Sequence, residues 1–321
     1  MTWRAVFFGT PAFAVPSLEA LLAHHDVPLV VTQPDRPAGR GLELRPSPVA
    51  QRAAAAGIPV IKPVRARDPE LVARVDAARA DVVVVTAYGQ ILPKSLLDVA
   101  PHGAINVHAS LLPRWRGASP ITAAVLAGDQ VTGISIMRMD EGLDTGPVIV
   151  QKINNILDRD DAVSVGERLS ALGGQALIEA LDQVAAGTAT FRPQDDGEMT
   201  YAPLVKKSDG DLEWTLRALE IERAMRAYRP WPGVRLPIGG ARVEVMAGGP
   251  VPDWWFTEQG EQPRDEPPGA VLEVMDKADA SGIVVQTSSG PFLVQRLKPP
   301  GKREMSAVEY ARGRRDLVAP R

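Results

Sequence analysis

Short apolar runs alternate with helix-like patterns along the chain up to about residue 188. Asp81–Thr86 contains four consecutive valines, which is typical of a strand covered on both faces. Val15–Ala23 has an apolar residue at every third or fourth position, which is typical of a helix with one buried face. Strands and helices in alternation predict an α/β domain with an open, mostly parallel sheet of the doubly wound, Rossmann-like type.

The same patterns predict the positions of the strands and helices up to about residue 188. The predicted strands are Trp3–Phe8, Val27–Thr32, Ile58–Ile61, Asp81–Thr86, Ala104–His108, Gly133–Met139 and Pro147–Ile153. The predicted helices are Val15–Ala23, Pro48–Ala56, Pro69–Arg79, Pro120–Ala127 and Ala162–Ala186.

The pattern changes after residue 188. Phe191–Ser208 has no sustained period and contains two prolines, so we interpret it as a linker. One predicted helix, Thr215–Tyr228, follows, and Gly239-Gly240 between two apolar runs indicates a β-hairpin. The predicted strands are Val234–Ile238, Arg242–Met246, Ala270–Met275, Gly282–Thr287 and Phe292–Leu297. Short strands with one helix predict a small β-barrel of OB type.

The predicted organisation is therefore two domains of different class. The α/β domain spans residues 1–189, the linker residues 190–208, and the small barrel residues 209–321. Two domains also agree with a length of 321 residues at roughly 150 residues per domain.

Composition excludes several kinds of site. The chain has no cysteine and four histidines, so it has no disulfide or thiolate metal site, and we expect no metal. The apolar stretch Ala5–Phe8 is followed at once by Gly9-Thr10-Pro11, and a secretory signal needs roughly 7–15 apolar residues. We therefore expect a soluble, cytoplasmic protein without a membrane span.

Charge is distributed unevenly along the chain. Thirty-six Lys and Arg against 39 Asp and Glu give a net charge of −3, which excludes a protein that coats nucleic acid by bulk charge. Residues 287–321, however, contain eight basic and three acidic residues, a local charge of +5, which leaves −8 on the rest. This segment is either a solvated tail or a face that contacts a polyanion.

The turn after the first strand does not fit a nicotinamide cofactor. Gly9-Thr10-Pro11 lies where a dinucleotide-binding domain has a glycine-rich fingerprint, but the second and third glycines are missing. No acidic residue ends the second predicted strand either. We therefore expect no nicotinamide.

Asn106 and His108 give the strongest chemical signal. They are two residues apart on a predicted strand, so both side chains lie on one face, near the carboxyl end where α/β sheets bind ligands. An amide can donate to a developing oxyanion, and an imidazole can donate or transfer a proton. The glycine-flanked loop Asp140–Gly146 offers carboxylates that could orient His108. Taken singly, a core histidine, a turn asparagine and a capping aspartate explain each residue; taken together, they favour an active site.

These residues resemble those of the 10-formyltetrahydrofolate-dependent formyltransferases. The resemblance begins with Asn106-Val107-His108, continues through Ser110-Leu111-Leu112-Pro113 and ends at Gly117–Pro120. It covers nearly the whole chain and is weakest over residues 247–268. The stretches most similar to the methionyl-tRNA formyltransferases of this family are Phe8–Ala14, Thr32–Gly41, Asp140–Gly146, Tyr201–Pro203 and Pro230–Pro232.

The resemblance implies transfer of a formyl group from 10-formyltetrahydrofolate to the methionine carried by initiator tRNA. It implies that Asn106, His108 and Asp144 are the catalytic residues, that the first domain is catalytic and that the last binds tRNA. The residues that it implies for folate binding are Ser110, Leu111, Leu112, Pro113, Ala87, Tyr88, Gly89, Ile91 and Asp140.

The segment Gln33–Val49 is far longer than an ordinary strand-to-helix connection and is rich in arginine. It is either a solvated loop or, as the resemblance implies, an insertion that contacts the tRNA acceptor stem. The residues expected to contact tRNA are Arg36, Arg40, Arg45, Lys206, Lys207 and Arg303.

Other functions compete with this one. A sugar-nucleotide N-formyltransferase uses the same donor and shares the same motifs, but it needs neither the arginine-rich insertion nor a basic second domain. Formylation of glycinamide ribonucleotide would need the first domain alone. A non-catalytic RNA-binding protein would need only the barrel and the basic segment, and the catalytic residue set argues against it. We expect a monomer whose partners are the charged initiator tRNA and the folate donor.

Overall fold

The computed structural model describes residues 2–38, 43–251, 255, 266–277, 280–314 and 317, and the chain forms two compact units. The first unit consists of residues 1–124, 129–159 and 164–204. Its strands are β1 (Arg4–Gly9), β2 (Asp26–Val31), β3 (Arg36–Ala38), β4 (Glu43–Arg45), β5 (Val60–Ile61), β6 (Val82–Thr86), β7 (Ala104–His108), β8 (Arg116–Gly117), β9 (Val131–Arg138), β10 (Val148–Asn155) and β11 (Tyr201–Ala202). The α-helices that begin in this part of the chain are α1 (Val15–His24), α2 (Pro48–Ala55), α3 (Pro69–Ala77), α4 (Lys94–Leu97), α5 (Pro120–Ala127) and α6 (Ala162–Ala185).

Seven strands form one sheet in the order β10-β9-β7-β6-β1-β2-β5. The five strands from β5 to β7 are parallel, whereas β9 runs antiparallel to β7 and β10 antiparallel to β9. This confirms the predicted mostly parallel, Rossmann-like sheet. The strand order reverses between β1 and β6, and the crevice at such a switch point is where α/β sheets bind ligands.

Helices cover both faces of this sheet. On one face, apolar side chains of β1 and β6 pack with those of α3 and α4 in a cluster that includes Phe8, Val83, Leu71 and Leu96. On the other face lies α6, whose Gly173-Gly174 pair allows a close approach. A Cβ at Gly173 would lie 2.9 Å from Val107 of β7.

The second unit contains residues 125–128, 160–163 and 205–321. Its strands are β12 (Val234–Ile238), β13 (Ala241–Pro250), β14 (Val271–Asp276), β15 (Ser281–Gln286), β16 (Pro291–Lys298) and β17 (Met305–Ser306), and its helices include α7 (Ala218–Ala227) and α8 (Ala307–Arg312). All strand pairs are antiparallel, in the order β12-β13-β16-β15-β14 with β17 beside β16. Gly239 and Gly240 have φ values of +58° and +72°, as the predicted hairpin between β12 and β13 requires.

The structure contradicts one alternative for the basic segment 287–321. It contains β16, β17 and α8, and Val308, Tyr310 and Leu317 are buried. The described residues of this segment are therefore a folded part of the second unit and not a solvated tail. In the part of the chain that the structure describes, no helix is both long and apolar enough to cross a membrane.

Candidate active site

Strand β7 carries the first two residues of the predicted site. It lies between β6 and β9, so its backbone is paired on both sides, and every residue in it is buried. Asn106 lies opposite Val85 of β6, and His108 opposite Ser135 of β9. Asn106 is 9 % exposed and His108 is 5 % exposed, so both side chains lie largely shielded from water near the carboxyl end of β7.

Asp144 lies beside Asn106 and His108 although it belongs to the loop between β9 and β10. Because β9 is antiparallel to β7, its last residue, Arg138, lies opposite Ile105 near the start of β7. The following loop closes on itself, with the Arg138 amide donating to the carbonyl of Pro147 at 3.0 Å. Asp144 Oδ2 lies 3.7 Å from His108 Nδ1, and the amide of Asn106 donates to Asp144 Oδ1 at 3.5 Å. The structure therefore brings Asn106, His108 and Asp144 together.

Both ring nitrogens of His108 face oxygen atoms. Nε2 lies 2.9 Å from the carbonyl oxygen of Trp115, and because a carbonyl only accepts, Nε2 carries the hydrogen. Nδ1 faces the carboxylate of Asp144, which also accepts a hydrogen bond from the amide of Gly117 at 2.9 Å. A doubly protonated ring presents an N–H to each neighbour, whereas a neutral ring presents an N–H to only one of them.

This arrangement suits the stabilisation of an oxyanion. The Asn106 side-chain amide is a hydrogen-bond donor at low solvent exposure, where such interactions are strong. Among the described residues, no group of three or more His, Asp or Glu side chains is arranged to hold a metal ion.

Sequence reasoning missed the residues that hold this site in place. The Gln194 side-chain amide donates to the carbonyls of Asp144 and Gly146 at 2.8 and 2.7 Å. The hydroxyl of Thr200 accepts from the amide of Trp115 at 2.8 Å, and β11 pairs with β8. Part of the predicted linker is thus packed against the site. No local pattern could have revealed this, because the contacts join residues 48 to 85 positions apart.

Four residues predicted to bind folate follow β6, whose carboxyl end lies beside that of β7. Ala87, Gly89 and Ile91 are exposed there, with Ala87 and Gly89 at φ +46° and +83°. Tyr88 is instead buried, at 1 % exposure, and burial raises the pKa of its hydroxyl to about 12. The hydroxyl of Thr10 and the amide of Gln33 donate to the Tyr88 carbonyl at 3.1 and 2.9 Å, which ties this turn to β1 and to the insertion.

The motif Ser110–Pro113 lies on a different surface. Ser110 is fully buried, and its hydroxyl donates to the carbonyl of Arg114 at 2.6 Å, which stabilises the turn. Leu111, Leu112 and Pro113 line a cavity of about 560 Å³ whose other walls include Arg192 and Glu198. The residues after β6 do not line this cavity, so the predicted folate residues fall into two sets.

Asp140, the last predicted folate residue, begins the loop that carries Asp144. Its carboxylate accepts hydrogen bonds from the amide of Gly142 at 3.0 Å and the hydroxyl of Thr145 at 2.6 Å. Lys94 of α4 lies 3.8 Å from the carboxylate of Glu141 in the same loop. The loop and the segment after β6 are therefore neighbours at one edge of the sheet.

The predicted tRNA residues occupy exposed positions. Arg36 and Arg45 are opposite each other in the β3–β4 hairpin, and both are exposed. The hairpin forms part of the predicted long insertion. Arg40 lies outside the described residues. Lys206, Lys207 and Arg303 are exposed, and none of their side chains forms an ion pair with another described residue.

Comparisons with known proteins show which family the chain resembles over both units. Residues 3–181 match the family model described as formyl transferase, and residues 204–315 match that of the formyl transferase C-terminal domain. Methionyl-tRNA formyltransferase of Thermus thermophilus is 44 % identical over 310 residues, which is 97 % of this chain and 96 % of that protein.

Two solved structures share the fold. HypX from Aquifex aeolicus in complex with tetrahydrofolic acid has a TM-score of 0.62 at 15 % identity, over 97 % of this chain and 47 % of that one. An N-formyltransferase from Helicobacter canadensis, in complex with folinic acid and dTDP-3-aminofucose, has the same TM-score and identity, over 93 % of this chain and 100 % of that one.

Proposed function

The chain belongs to the formyl transferase family, and within it to the methionyl-tRNA formyltransferases; on this premise we propose that it transfers the formyl group of 10-formyltetrahydrofolate to the free amino group of methionyl-initiator tRNA. The observation that carries this proposal is the similarity at 44 % identity over 97 % of the chain, which includes the C-terminal domain. A substrate as large as tRNA can be bound by the C-terminal domain as well as by the first domain.

The proposed reaction is a direct acyl transfer. The uncharged amine of the methionyl group attacks the formyl carbon, and a tetrahedral intermediate with a negatively charged oxygen forms. The new N–C bond remains, the bond between the carbon and N10 of the folate breaks, and the proton lost by the amine ends on N10. Holding the two substrates in this alignment supplies a large part of the rate acceleration.

The positions of the site residues support the following proposed roles. Asn106 donates a hydrogen bond from its amide to the intermediate's oxyanion, and charged His108 stabilises the same oxygen. Asp144 stabilises the charged ring through its carboxylate, 3.7 Å from Nδ1. Proton transfer from amine to N10 proceeds through these groups or a water molecule. These steps use no metal and no nicotinamide.

For the folate donor we propose two contact regions. One is the crevice formed by Ala87, Gly89, Ile91 and the loop that begins at Asp140, where the exposed backbone beside the catalytic residues can accept a flat ring. Tyr88 would contribute its backbone, since its side chain is buried. The other is the cavity lined by Leu111, Leu112 and Pro113. The buried Ser110 stabilises the turn that carries these residues, through its hydrogen bond to the carbonyl of Arg114.

For tRNA we propose contacts to its phosphates from both units. Arg36 and Arg45 face each other in the β3–β4 hairpin, and like charges directly opposite destabilise a hairpin unless an anion compensates them. Arg40 belongs to the same insertion, outside the described residues. The exposed Lys206, Lys207 and Arg303 are the candidates in the second unit.

We further propose that the antiparallel sheet of the second unit is a barrel of OB type that binds tRNA, because six strands and a covering helix, α8, suit that architecture. The domain limits proposed are 1–189, 190–208 and 209–321. A monomer in the cytoplasm, where charged tRNA is available, completes the proposal.

The closest alternative is formylation of a nucleotide-linked amino sugar with the same donor. The N-formyltransferase from Helicobacter canadensis shares the fold, but 15 % identity supports the fold alone. The exposed arginine pair in the β3–β4 hairpin has no use with so small a substrate. A non-catalytic RNA-binding role does not account for the convergence of Asn106, His108 and Asp144.

Substitutions of the catalytic residues test this proposal. His108→Ala removes the charged donor and is expected to lower kcat for formylation of methionyl-tRNA by at least about 10²-fold, as are Asn106→Ala and Asp144→Ala. His102→Ala is the matched control, because His102 is an exposed histidine of the same unit that stacks on Trp3. Activity of His108→Ala within about threefold of the wild type, with both proteins folded, would contradict the assignment.

A further inference from the structure

Asp144 has a backbone conformation that needs support. Its φ is +55°, in the left-handed region that a non-glycine residue rarely adopts. Two residues later the chain passes so close to β9 that a Cβ on Gly146 would lie 1.8 Å from the carbonyl oxygen of Arg138. The loop that carries the carboxylate is thus tightly bent, and its position depends on what holds its carbonyl groups.

Gln194 holds both of the carbonyls that flank Thr145. The two hydrogens of its side-chain amide go to the carbonyl oxygens of Asp144, at 2.8 Å, and Gly146, at 2.7 Å. The amide of Gly117 meanwhile donates to the Asp144 carboxylate at 2.9 Å. Asp144 is therefore fixed at both its backbone and its side chain.

The orientation of Gln194 is itself determined. Its amide oxygen accepts a hydrogen bond at 2.9 Å from Nε of Arg116, which is 5 % exposed and pairs with Asp196 at 2.8 Å. A side chain at this position must therefore accept from a guanidinium and donate twice to carbonyls. A glutamine amide can do both, whereas a carboxylate would face two carbonyl oxygens and a thioether could not donate.

We propose that Gln194 is a positioning residue for catalysis: through the carbonyls of Asp144 and Gly146 it sets the distance between the Asp144 carboxylate and the His108 ring. Gln194 touches neither His108 nor the reacting atoms. Arg116 holds the Gln194 side chain through a hydrogen bond to its amide oxygen. The residue before Arg116, Trp115, accepts the hydrogen of His108 Nε2 at its carbonyl. The catalytic part of this inference rests on the proposed function.

The segment after α6 therefore contributes to catalysis. Thr200 and Ala202 bind the backbone of residues 115–119, and Gln194 binds the catalytic loop. A change at Gln194 would reach His108 through the backbone and the carboxylate of Asp144, without any contact to substrate.

Gln194→Met tests the proposal because methionine fills similar space without an amide. We expect kcat for formyl transfer to fall by about 10²-fold, with KM for tRNA and for folate within about threefold of the wild type. Gln183→Met is the matched control, since Gln183 lies in α6 and bonds only to Glu179 and its own turn. Gln194→Glu, which keeps the shape and removes the donors, should behave like Gln194→Met.

A second measurement reports on position directly. The chain has four histidines, so NMR of ¹⁵N-labelled histidine rings gives four sets of signals, and the set missing from His108→Ala belongs to His108. We expect Gln194→Met to move the His108 signals and leave those of His24, His25 and His102 in place. This readout needs no substrate, so it stands even if methionyl-tRNA is not the acceptor.

The proposal is overturned if Gln194→Met and Gln194→Glu keep kcat within about threefold of the wild type, or if the His108 signals stay in place while activity falls. A variant that loses its fold is recognised by a shift of all four histidines. In that case the milder variant Arg116→Lys, which weakens the hydrogen bond to Gln194, is used instead. It must shift the NMR signals of His108 and leave those of the other three histidines in place. Failure to do so overturns the proposal.

Discussion

At the scale of single residues, unusual backbone conformations concentrate at the candidate site. Among the described residues, four that are not glycine have positive φ in the left-handed region: Arg79, Ala87, Trp115 and Asp144. Two of them contact His108, Trp115 through its carbonyl and Asp144 through its carboxylate, and Ala87 lies directly after β6. Backbone strain held in place by neighbours is typical of functional sites.

His25 provides a prediction on pH. Burial lowers the pKa of its ring below the ordinary value of 6.5, although the charge of Asp182 acts in the opposite direction. Below 6.5 the unfolded chain therefore binds a proton that the folded chain does not, and stability falls as the pH falls. We therefore expect the Tm of His25→Gln to fall less between about pH 7 and about pH 5 than the Tm of the wild type.

The measurement is thermal unfolding at the two pH values. His24→Gln is the control, because His24 is the exposed neighbour, and its pH dependence should follow the wild type. Equal losses of Tm in His25→Gln and the wild type would show that this ring does not contribute.

Single residues also show how far the sequence could predict the site. Asn106 and His108 were predictable because the two-residue period of a strand places them on one face. Asp144 could be assigned only through the family resemblance, since its loop reaches the site after an antiparallel strand. Gln194 and Arg116 carried no signal, because their roles depend on hydrogen bonds across 48 to 78 residues of sequence.

At the scale of elements, helix α6 contains glycines with opposite expected effects. A Cβ at Gly174 would lie 2.9 Å from the carbonyl oxygen of Pro16, whereas a Cβ at Gly166 meets only Ile121, at 3.7 Å. We expect Gly174→Ala to reduce the free energy of unfolding by about 1–3 kcal/mol and Gly166→Ala to raise it by about 0.4–1 kcal/mol. Chemical denaturation of both variants checks this, and a stabilised Gly174→Ala would contradict the close packing of α6.

The β3–β4 hairpin leads to a prediction on tRNA. Replacing Arg36 and Arg45 together by alanine should raise the Kd for tRNA about tenfold or more and make its dependence on salt shallower by up to about 2 in log–log slope. The affinity for folate should stay unchanged.

Arg74→Ala is the control for this pair, because Arg74 is an exposed arginine of α3. An unchanged salt dependence in the double variant would exclude the hairpin as a phosphate contact. Equal losses of tRNA and folate binding would instead indicate a structural role.

The elements and the mostly parallel pairing of the first sheet were largely predictable, whereas the direction of β9 and the β3–β4 hairpin were not. β7 and α5 begin and end at the predicted residues, because turn residues bound their apolar runs. The antiparallel direction of β9 was not predictable, because apolar periodicity does not encode strand direction. The hairpin formed by β3 and β4 was missed because its strands have three residues each and little apolar content.

At the scale of the whole molecule, the uneven charge acquires a structural meaning. Three cations of the basic segment are neutralised by ion pairs, Arg296 with Glu304, Lys298 with Glu244 and Arg312 with Asp276. Arg303 remains exposed without an ion pair among the described residues. A few localised cations suit an enzyme that selects one tRNA, since a large net charge would attract every tRNA alike.

Discrimination between acceptor substrates tests the central claim most directly. The wild-type protein would be incubated with 10-formyltetrahydrofolate and, in parallel, methionyl-initiator tRNA or a dTDP-linked amino sugar, and each product identified by mass. We predict formylmethionyl-tRNA and no formylated sugar, with the reaction lost in His108→Ala and retained in His102→Ala. Formylation of the sugar while methionyl-tRNA stays unmodified would contradict the proposed function.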